Sequence, residues 1–379
     1  MSKSALKRRA REARHWLMDA CFPLWSERGI GDHGLFREAL GPDHQPVASG
    51  PSRVRVQARQ TYVFTEALRL GWKPDDALDH ISMGLVTLTG PARRTDGLIG
   101  RTMDASGGAL DDDTSDLYDT AFVLFALAES ELALGEDTDA RQTSASVLSA
   151  MDRHLRSPDG GYFETLPPAA KRYQNPHMHL LEACLSLHRA QPEASHLERA
   201  AEILDLFDRS FTAGPGGLLG ETFAPGWKEP DGDAARIVEP GHQFEWVWLL
   251  HAHARLTKTP VSPAADRLYT FAASTLDEAG RAVQEVTREG AIVDGSRRTW
   301  PQTEALKAHL ALFEATGEER YATAACRSFD VLMDEYLTPE GGWIDHYDAT
   351  GKPLSQTMPA STGYHVVLAF AELIRVMGT

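Results

Sequence analysis

The sequence predicts an all-α chain built as an (α/α)6 barrel: six helical hairpins with short glycine-rich hairpin loops at one mouth. Three observations carry this expectation. Apolar residues recur at helical spacing, as in Ala121, Leu124, Phe125 and Ala128, or Val366, Phe370, Leu373 and Ile374. Turn-plus-apolar segments recur between helices, at 96–100, 158–163, 214–219 and 339–344. Polar residues near helix starts (Arg59, Tyr118, His179, His242, Glu304 and His365) lie 59 to 63 residues apart. Self-similarity at a fixed period marks a repeat architecture.

The elements follow in order. A helix at about 5–25 has no preceding partner. Each landmark begins a first-type helix, and second helices are expected at 75–89, 138–155, 196–211, 262–276 and 319–336. The sixth first-type helix, 363–377, has no successor, so the N-terminal helix completes its hairpin. Pro74-Asp75-Asp76 suits a helix start, and Gly71, Gly135 and Gly317 suit helix ends. Twelve helices in six pairs favour a closed ring, in which each has two neighbours, over an open solenoid that needs capping repeats. A chain of 379 residues would ordinarily suggest two or three domains. The sixfold spacing, without any Pro/Ser-rich linker, predicts one catalytic domain over 1–379.

Composition narrows the function. The net charge of −16 argues against nucleic acid and membrane surfaces as partners. The longest apolar run, Ala121–Ala128, is too short to span a bilayer, and no secretory signal follows the basic Met1–Arg14. Cys21, Cys184 and Cys326 are scattered and odd in number, which fits neither a disulfide framework nor a thiolate metal site. The expectation is a cytoplasmic protein; nothing specifies its oligomeric state. Asp111-Asp112-Asp113 is expected to be a solvated loop.

In a closed barrel the first-type helices run in one direction, so their N-termini meet at a single mouth made electropositive by their dipoles. Arg59, Tyr118, His179, His242, Glu245, Glu304 and His365 converge there, with Asn175, His177, Gln243, Trp246, Trp300, Gln302, Trp343, Asp345 and His346 nearby. Histidines move protons, aromatic rings stack on sugars, and Arg, Gln, Asn and Glu bind hydroxyls. The set points to proton transfer on a carbohydrate. No H-E-x-x-H, phosphate-binding loop or dinucleotide fingerprint occurs, so no metal and no cofactor are expected. Structural readings stand beside these. Arg59 can pair internally with Glu304 or Glu245; Tyr118, Trp246 and Trp248 can be packing residues; only one histidine of His177-x-His179 can point inward.

The segments Gln57-Ala58-Arg59-Gln60-x-Tyr62-x-Phe64, Asp116-Leu117-Tyr118-Asp119, Asn175-Pro176-His177-Met178-His179, Gly241-His242-Gln243-Phe244-Glu245-Trp246, Trp300-Pro301-Gln302-Thr303-Glu304 and Pro359-Ala360-Ser361-Thr362-x-Tyr364-His365 resemble the N-acylglucosamine 2-epimerase superfamily. The last of them, with Gly341-Gly342-Trp343-Ile344-Asp345-His346, is most similar to its D-mannose isomerase branch. The resemblance implies interconversion of D-mannose and D-fructose without a metal, on a small monosaccharide. It implies that His365 is the base moving a proton between C2 and C1. His242, oriented by Glu245, is the general acid/base at oxygen. Arg59 and His179 stabilise the oxyanion or hold hydroxyls. Tyr118, Asn175, Gln302 and Glu304 bind hydroxyls, with Trp300 and Trp343 as walls. A 2-epimerase, a hydrolase or lyase using Glu245 and Glu304, a non-catalytic sugar-binding barrel, and a phosphorylated substrate held by Arg53, Arg55 and Arg59 are the alternatives.

Overall fold

The computed structural model describes residues 2–31, 33–48, 50–104, 106–136 and 138–379. Among the described residues thirteen α-helices carry the fold: α1 (Ser2–Trp16), α2 (Phe22–Arg28), α3 (Val54–Leu70), α4 (Pro74–Thr89), α5 (Leu117–Leu134), α6 (Thr138–His154), α7 (Asn175–Ala190), α8 (Ala194–Leu206), α9 (Pro240–Thr257), α10 (Ala264–Ser274), α11 (Thr299–Thr316), α12 (Glu319–Val331) and α13 (Gly363–Met377). One π-helical turn, Leu17–Cys21, joins α1 to α2, so together they are the expected N-terminal helix. Similar π turns extend α8 (Phe207–Phe211) and α12 (Leu332–Tyr336).

Burial separates two layers. In α5, α7, α9 and α11 the first three turns are buried almost without interruption. In α4, α6, α8, α10 and α12 only a stripe is buried. A helix apolar on all sides must be covered on all sides, whereas an amphipathic one can face water. Accordingly α3, α5, α7, α9, α11 and α13 touch one another in a closed cycle, each backed by an outer helix. The N-terminal helix fills the last place, packing on α12 and α13. There Arg9 pairs with Asp330 and the Trp16 ring meets Phe370 edge-on at 5.8 Å.

The loops pair more widely than the expected hairpins within each unit. Six small antiparallel sheets of two- and three-residue strands tie the loops together. Most of these pairings cross between units: 115–116 with 165–166, 172–173 with 222–223, and 297–298 with 346–347. Ala39–Leu40 pairs with Met358–Pro359, which joins the first unit to the last. Strands this short carry no alternation, and their partners lie some fifty residues away or further, so local pattern does not reveal them. Asp111 and Asp112 belong to a strand with a local partner, Leu110–Asp112, which pairs with Thr102–Met103, and so not to the expected solvated loop. Tight turns within a unit are also present, bridging Arg93 to Ile99, Arg156 to Tyr162 and Leu337 to Trp343.

Gly341 marks where the ring is closed. Its φ is +95°, and a Cβ there would stand 2.4 Å from the Ala20 backbone carbonyl. Backbone cannot yield as a flexible side chain can, so Gly341→Ala is expected to destabilise the protein by about 2 kcal/mol or more. Thermal denaturation should show a clear fall in Tm; an unchanged Tm would refute the close contact. No helix among the described residues is long and apolar enough to cross a membrane.

Candidate active site

Four inner helices carry polar residues two apart, at Gln57/Arg59, His177/His179, Gln243/Glu245 and Gln302/Glu304. Successive helical residues are about 100° apart, so the two side chains point to opposite sides. The first of each pair holds the preceding loop. Gln57 accepts from the Phe36 N–H and donates to its carbonyl, both at 2.8 Å. Gln243 does the same with Leu219, and Gln302 with Ala282 at 2.8 and 2.9 Å. His177 Nε2 accepts from the Tyr162 N–H at 3.0 Å. Gln302 is therefore a loop clamp and not a sugar ligand, because both ends of its amide are used. His177 is the outward member of its pair and His179 the inward one.

The second members enter the barrel interior. A cavity of about 430 Å³ opens among the N-terminal ends of the inner helices. Arg59, Tyr118, Asn175, His179, His242, Glu245, Trp300 and His365 line it. Glu304 lies beneath it, fully buried, and is not the expected sugar-hydroxyl ligand, because its two oxygens face His365 and Lys307. Trp343 is not a wall: it is 1% exposed, stacks on Trp25 at a centroid distance of 4.7 Å and donates to the Pro359 carbonyl. Trp246 is core as well, stacked on Phe207.

Three imidazoles are each held through Nδ1 by a carboxylate. His365 Nδ1 lies 2.9 Å from Glu304 Oε1, and Lys307 Nζ lies 2.6 Å from Glu304 Oε2. His242 Nδ1 lies 2.7 Å from Glu221 Oε2, with Glu239 at 3.9 Å. His179 Nδ1 lies 3.2 Å from Glu182 Oε2 and 3.9 Å from Glu245 Oε1. The orienting residue of His242 is thus Glu221, from a loop, and not Glu245, which sits a turn further along α9 beside His179. Three groups bring carboxylate and imidazole ligand atoms within 4.8 Å of one another: His179/Glu182/Glu245, Glu221/Glu239/His242 and Glu245/Glu304/His365. In each the Nδ1 is already engaged by a carboxylate, the arrangement of hydrogen-bonded pairs.

The proton affinities of these imidazoles diverge. Burial lowers His365 to about 4 against the pull of Glu304, and Arg59 and Lys307 add to the lowering. Burial also opposes charge on His242, but Glu221 and Glu239 overcome it and raise it to about 10. His179 is driven well down by burial and by Arg59. His365 is therefore neutral near pH 7. With its Nδ1–H given to Glu304, its basic nitrogen is Nε2. His242 is cationic, and its Nε2 stands 3.0 Å from the Asn175 amide. Asn175 Oδ1 is otherwise buried without a partner. Turning that amide gives Oδ1 to the Nε2–H, which satisfies both groups.

Arg59 has no carboxylate partner among the described residues, which removes the internal ion-pair reading. Its guanidinium donates to Tyr118 Oη at 2.6 Å and to the Ser361 carbonyl at 3.1 Å, and lies 4.0 Å from the centroid of Phe122. Tyr118 thus both packs and bonds Arg59 at the cavity wall. Trp300 stands between the other two groups, 4.8 Å from the His242 ring and 6.0 Å from that of His365. The mouth is not simply positive: Arg53 pairs with Glu38, Arg55 with Asp119 and Arg298 with Asp345. Glu221, Glu239, Lys307, Glu182 and Tyr364 went unassigned in the sequence. Lys307, three residues beyond Glu304 on one helix face, was within reach of spacing; Glu221, in a loop, was not.

A larger cavity of about 570 Å³ lies at the opposite end of the inner helices. Its arginines are matched by acids, Arg69 and Arg189 with Glu129, Arg255 and Arg375 with Glu314. None of the candidate histidines reaches it.

Residues 34–369 match the family model of N-acylglucosamine 2-epimerase. The chain is 34% identical to a protein named mannose-6-phosphate isomerase of Rhizobium meliloti (strain 1021), over 96% of each chain. It is 29% identical to a D-mannose isomerase of Thermobifida fusca, over 79% of this chain and 78% of that one. It shares the fold of cellobiose 2-epimerase from Spirochaeta thermophila DSM 6192, with a TM-score of 0.88 at 24% identity, covering 98% and 97% of the two chains. The chain belongs to the N-acylglucosamine 2-epimerase family.

Proposed function

We propose that this chain is an aldose–ketose isomerase that interconverts D-mannose and D-fructose through an enediolate, on one (α/α)6 barrel spanning 1–379. The observation that carries the reading is the pair of imidazoles flanking Trp300 with opposite protonation, His365 neutral and His242 cationic. Divergent proton affinities in one cavity assign the base and the acid. The open-chain aldose places C1 and C2 between them. His365 Nε2 takes the C2 proton while His242 gives a proton to O1. As the C2 proton leaves, enediolate charge builds on O1 opposite the Arg59 guanidinium and His179, and the His242 proton then converts it to the enediol. His365 then returns its proton to C1, and His242 recovers a proton from O2. One C–H bond breaks, one forms, and both histidines regain their starting states. Tyr118 holds Arg59, Asn175 holds the His242 Nε2–H until substrate O1 takes its place, and Trp300 supplies an apolar wall.

D-mannose incubated in deuterium oxide should yield fructose first, with partial exchange at the transferred position. Glucose as first product would replace this reading with that of a 2-epimerase, which needs a second neutral base on the other face of C2. Activity is expected to survive EDTA; complete loss restored by a divalent ion would overturn the metal-free scheme.

The name of the Rhizobium relative raises a phosphorylated substrate. The rim arginines, however, are matched by Glu38 and Asp345, and Glu239 lines the same cavity. A phosphate dianion would meet these acids. We therefore expect kcat/KM to be at least about tenfold higher for D-mannose than for its 6-phosphate; the reverse order would show a phosphate site. Glycoside hydrolysis by inversion fits poorly, since it needs carboxyl groups about 6.5–9.5 Å apart. Glu245 and Glu304 oxygens lie within 4.8 Å, and Glu304 is held by Lys307.

A further inference from the structure

At and beneath the cavity floor three carboxylates from three helices converge: Glu245 of α9, which lines the cavity, with Glu182 of α7 and Glu304 of α11 below it, each at most 3% exposed. One ammonium serves them. Lys307, wholly buried, places Nζ 2.6 Å from Glu304 Oε2. Its other side is closed by the Trp248 indole, 4.1 Å to the ring centroid. Trp248 is itself fixed by its Nε1–H to Glu372 Oε2 at 3.1 Å. Lys307 does not line the cavity, so it touches no substrate.

We infer that Lys307 is a positioning residue for the isomerisation: it fixes Glu304 as the anion that orients His365, with Nε2 toward the cavity. This rests on the proposed role of His365 as the base. A buried carboxylate without a cation takes up a proton or captures one from its partner. Glu304 and His365 share a hydrogen bond, so removing the cation makes the pair as a whole bind a proton more readily. The other groups facing the pair are Arg59 of α3, His179 and Glu182 of α7, His242 and Glu245 of α9, and Tyr364 of α13. Arg59 is the remaining permanent cation among them, and it sits across the cavity against Phe122. Burial would raise the Glu304 carboxyl, yet Lys307 followed by His365 holds it below the usual range, as the geometry requires.

The test compares wild type, K307M, K307Q and K307R. In the neutral variants the acid limb of kcat/KM for D-mannose is expected to move up by about one to two pH units. kcat at pH 5 should fall about two- to tenfold, with KM nearly unchanged. K307R should restore the limb. K307Q keeps a donor to Glu304 and covers the case in which K307M does not fold. Imidazole 15N spectra of the unliganded protein give a second readout. Wild type should show His365 neutral and protonated at Nδ1 at pH 5, and K307Q should show half or more of it as imidazolium at that pH. A folded neutral variant with an unmoved limb and an unchanged His365 spectrum would overturn the inference. Because the spectra need no substrate, an inactive wild type would count against the proposed function and leave this result readable.

Discussion

His365→Ala should lower kcat for mannose isomerisation by about 10³-fold, the scale of a lost general base. Several features make it the largest single effect expected. Its ring is the neutral one beside Trp300, its Nδ1 is committed to Glu304, and Nε2 is the nitrogen left to act. The variant should lose solvent exchange at C2 together with turnover, because both begin with the same proton transfer. Substrate should still bind, since Arg59, Tyr118, Asn175 and Trp300 keep their places. Turnover within about tenfold of wild type would remove His365 as the base. In the wild type the acid limb of kcat/KM should lie near the value of about 4 set by burial; below it the ring is protonated and cannot accept.

The second large effect is expected at Glu221. Its Oε2 lies 2.7 Å from His242 Nδ1, its Oε1 accepts the Glu239 N–H at 3.1 Å, and Oε2 also receives Gln174 Nε2 at 3.1 Å. Glu221→Gln keeps the shape and removes the charge. An anion stabilises the imidazolium, so its loss must lower the proton affinity of His242 from about 10. Glu239, at 3.9 Å, retains part of the effect. The basic limb of the pH profile should therefore move down by about one unit or more, and kcat at pH 10 should fall at least about fivefold. The acid limb should stay in place. A basic limb unmoved in a folded Glu221→Gln variant would exclude His242 as the acid. Glu245→Gln, by contrast, should affect His179 first, since that is the imidazole it approaches.

Much of the site was legible because the helices repeat. Arg59, His179, Glu304 and His365 fall into register about 60 residues apart, and register places them on one end of one ring. The same register misjudged Gln302 and Trp343. Both stand in the right segments, but their side chains leave the interior: Gln302 turns back to Ala282, and Trp343 turns out to Trp25. A one-dimensional pattern gives the element and its end, while a rotation of about 200° between residues two apart decides which side is faced. Glu221 carries no periodic signal at all. It belongs to the two-residue-strand region at 222–223, whose partner is fifty residues upstream.

The sequence by itself determined a helical chain of six paired units, the end of the barrel where the polar residues gather, and most members of that gathering. These follow from local spacing, which the chain carries along its own length. Tertiary structure decided which carboxylate holds which imidazole, which histidine is charged, and that a single buried lysine balances three acids. Those depend on distances between helices and on burial, and burial is a property of the assembled ring. His242 and His365 are the same side chain. One is driven up because Glu221 and Glu239 reach it from loop and helix start, and the other down because burial, aided by Arg59 and Lys307, outweighs the pull of Glu304.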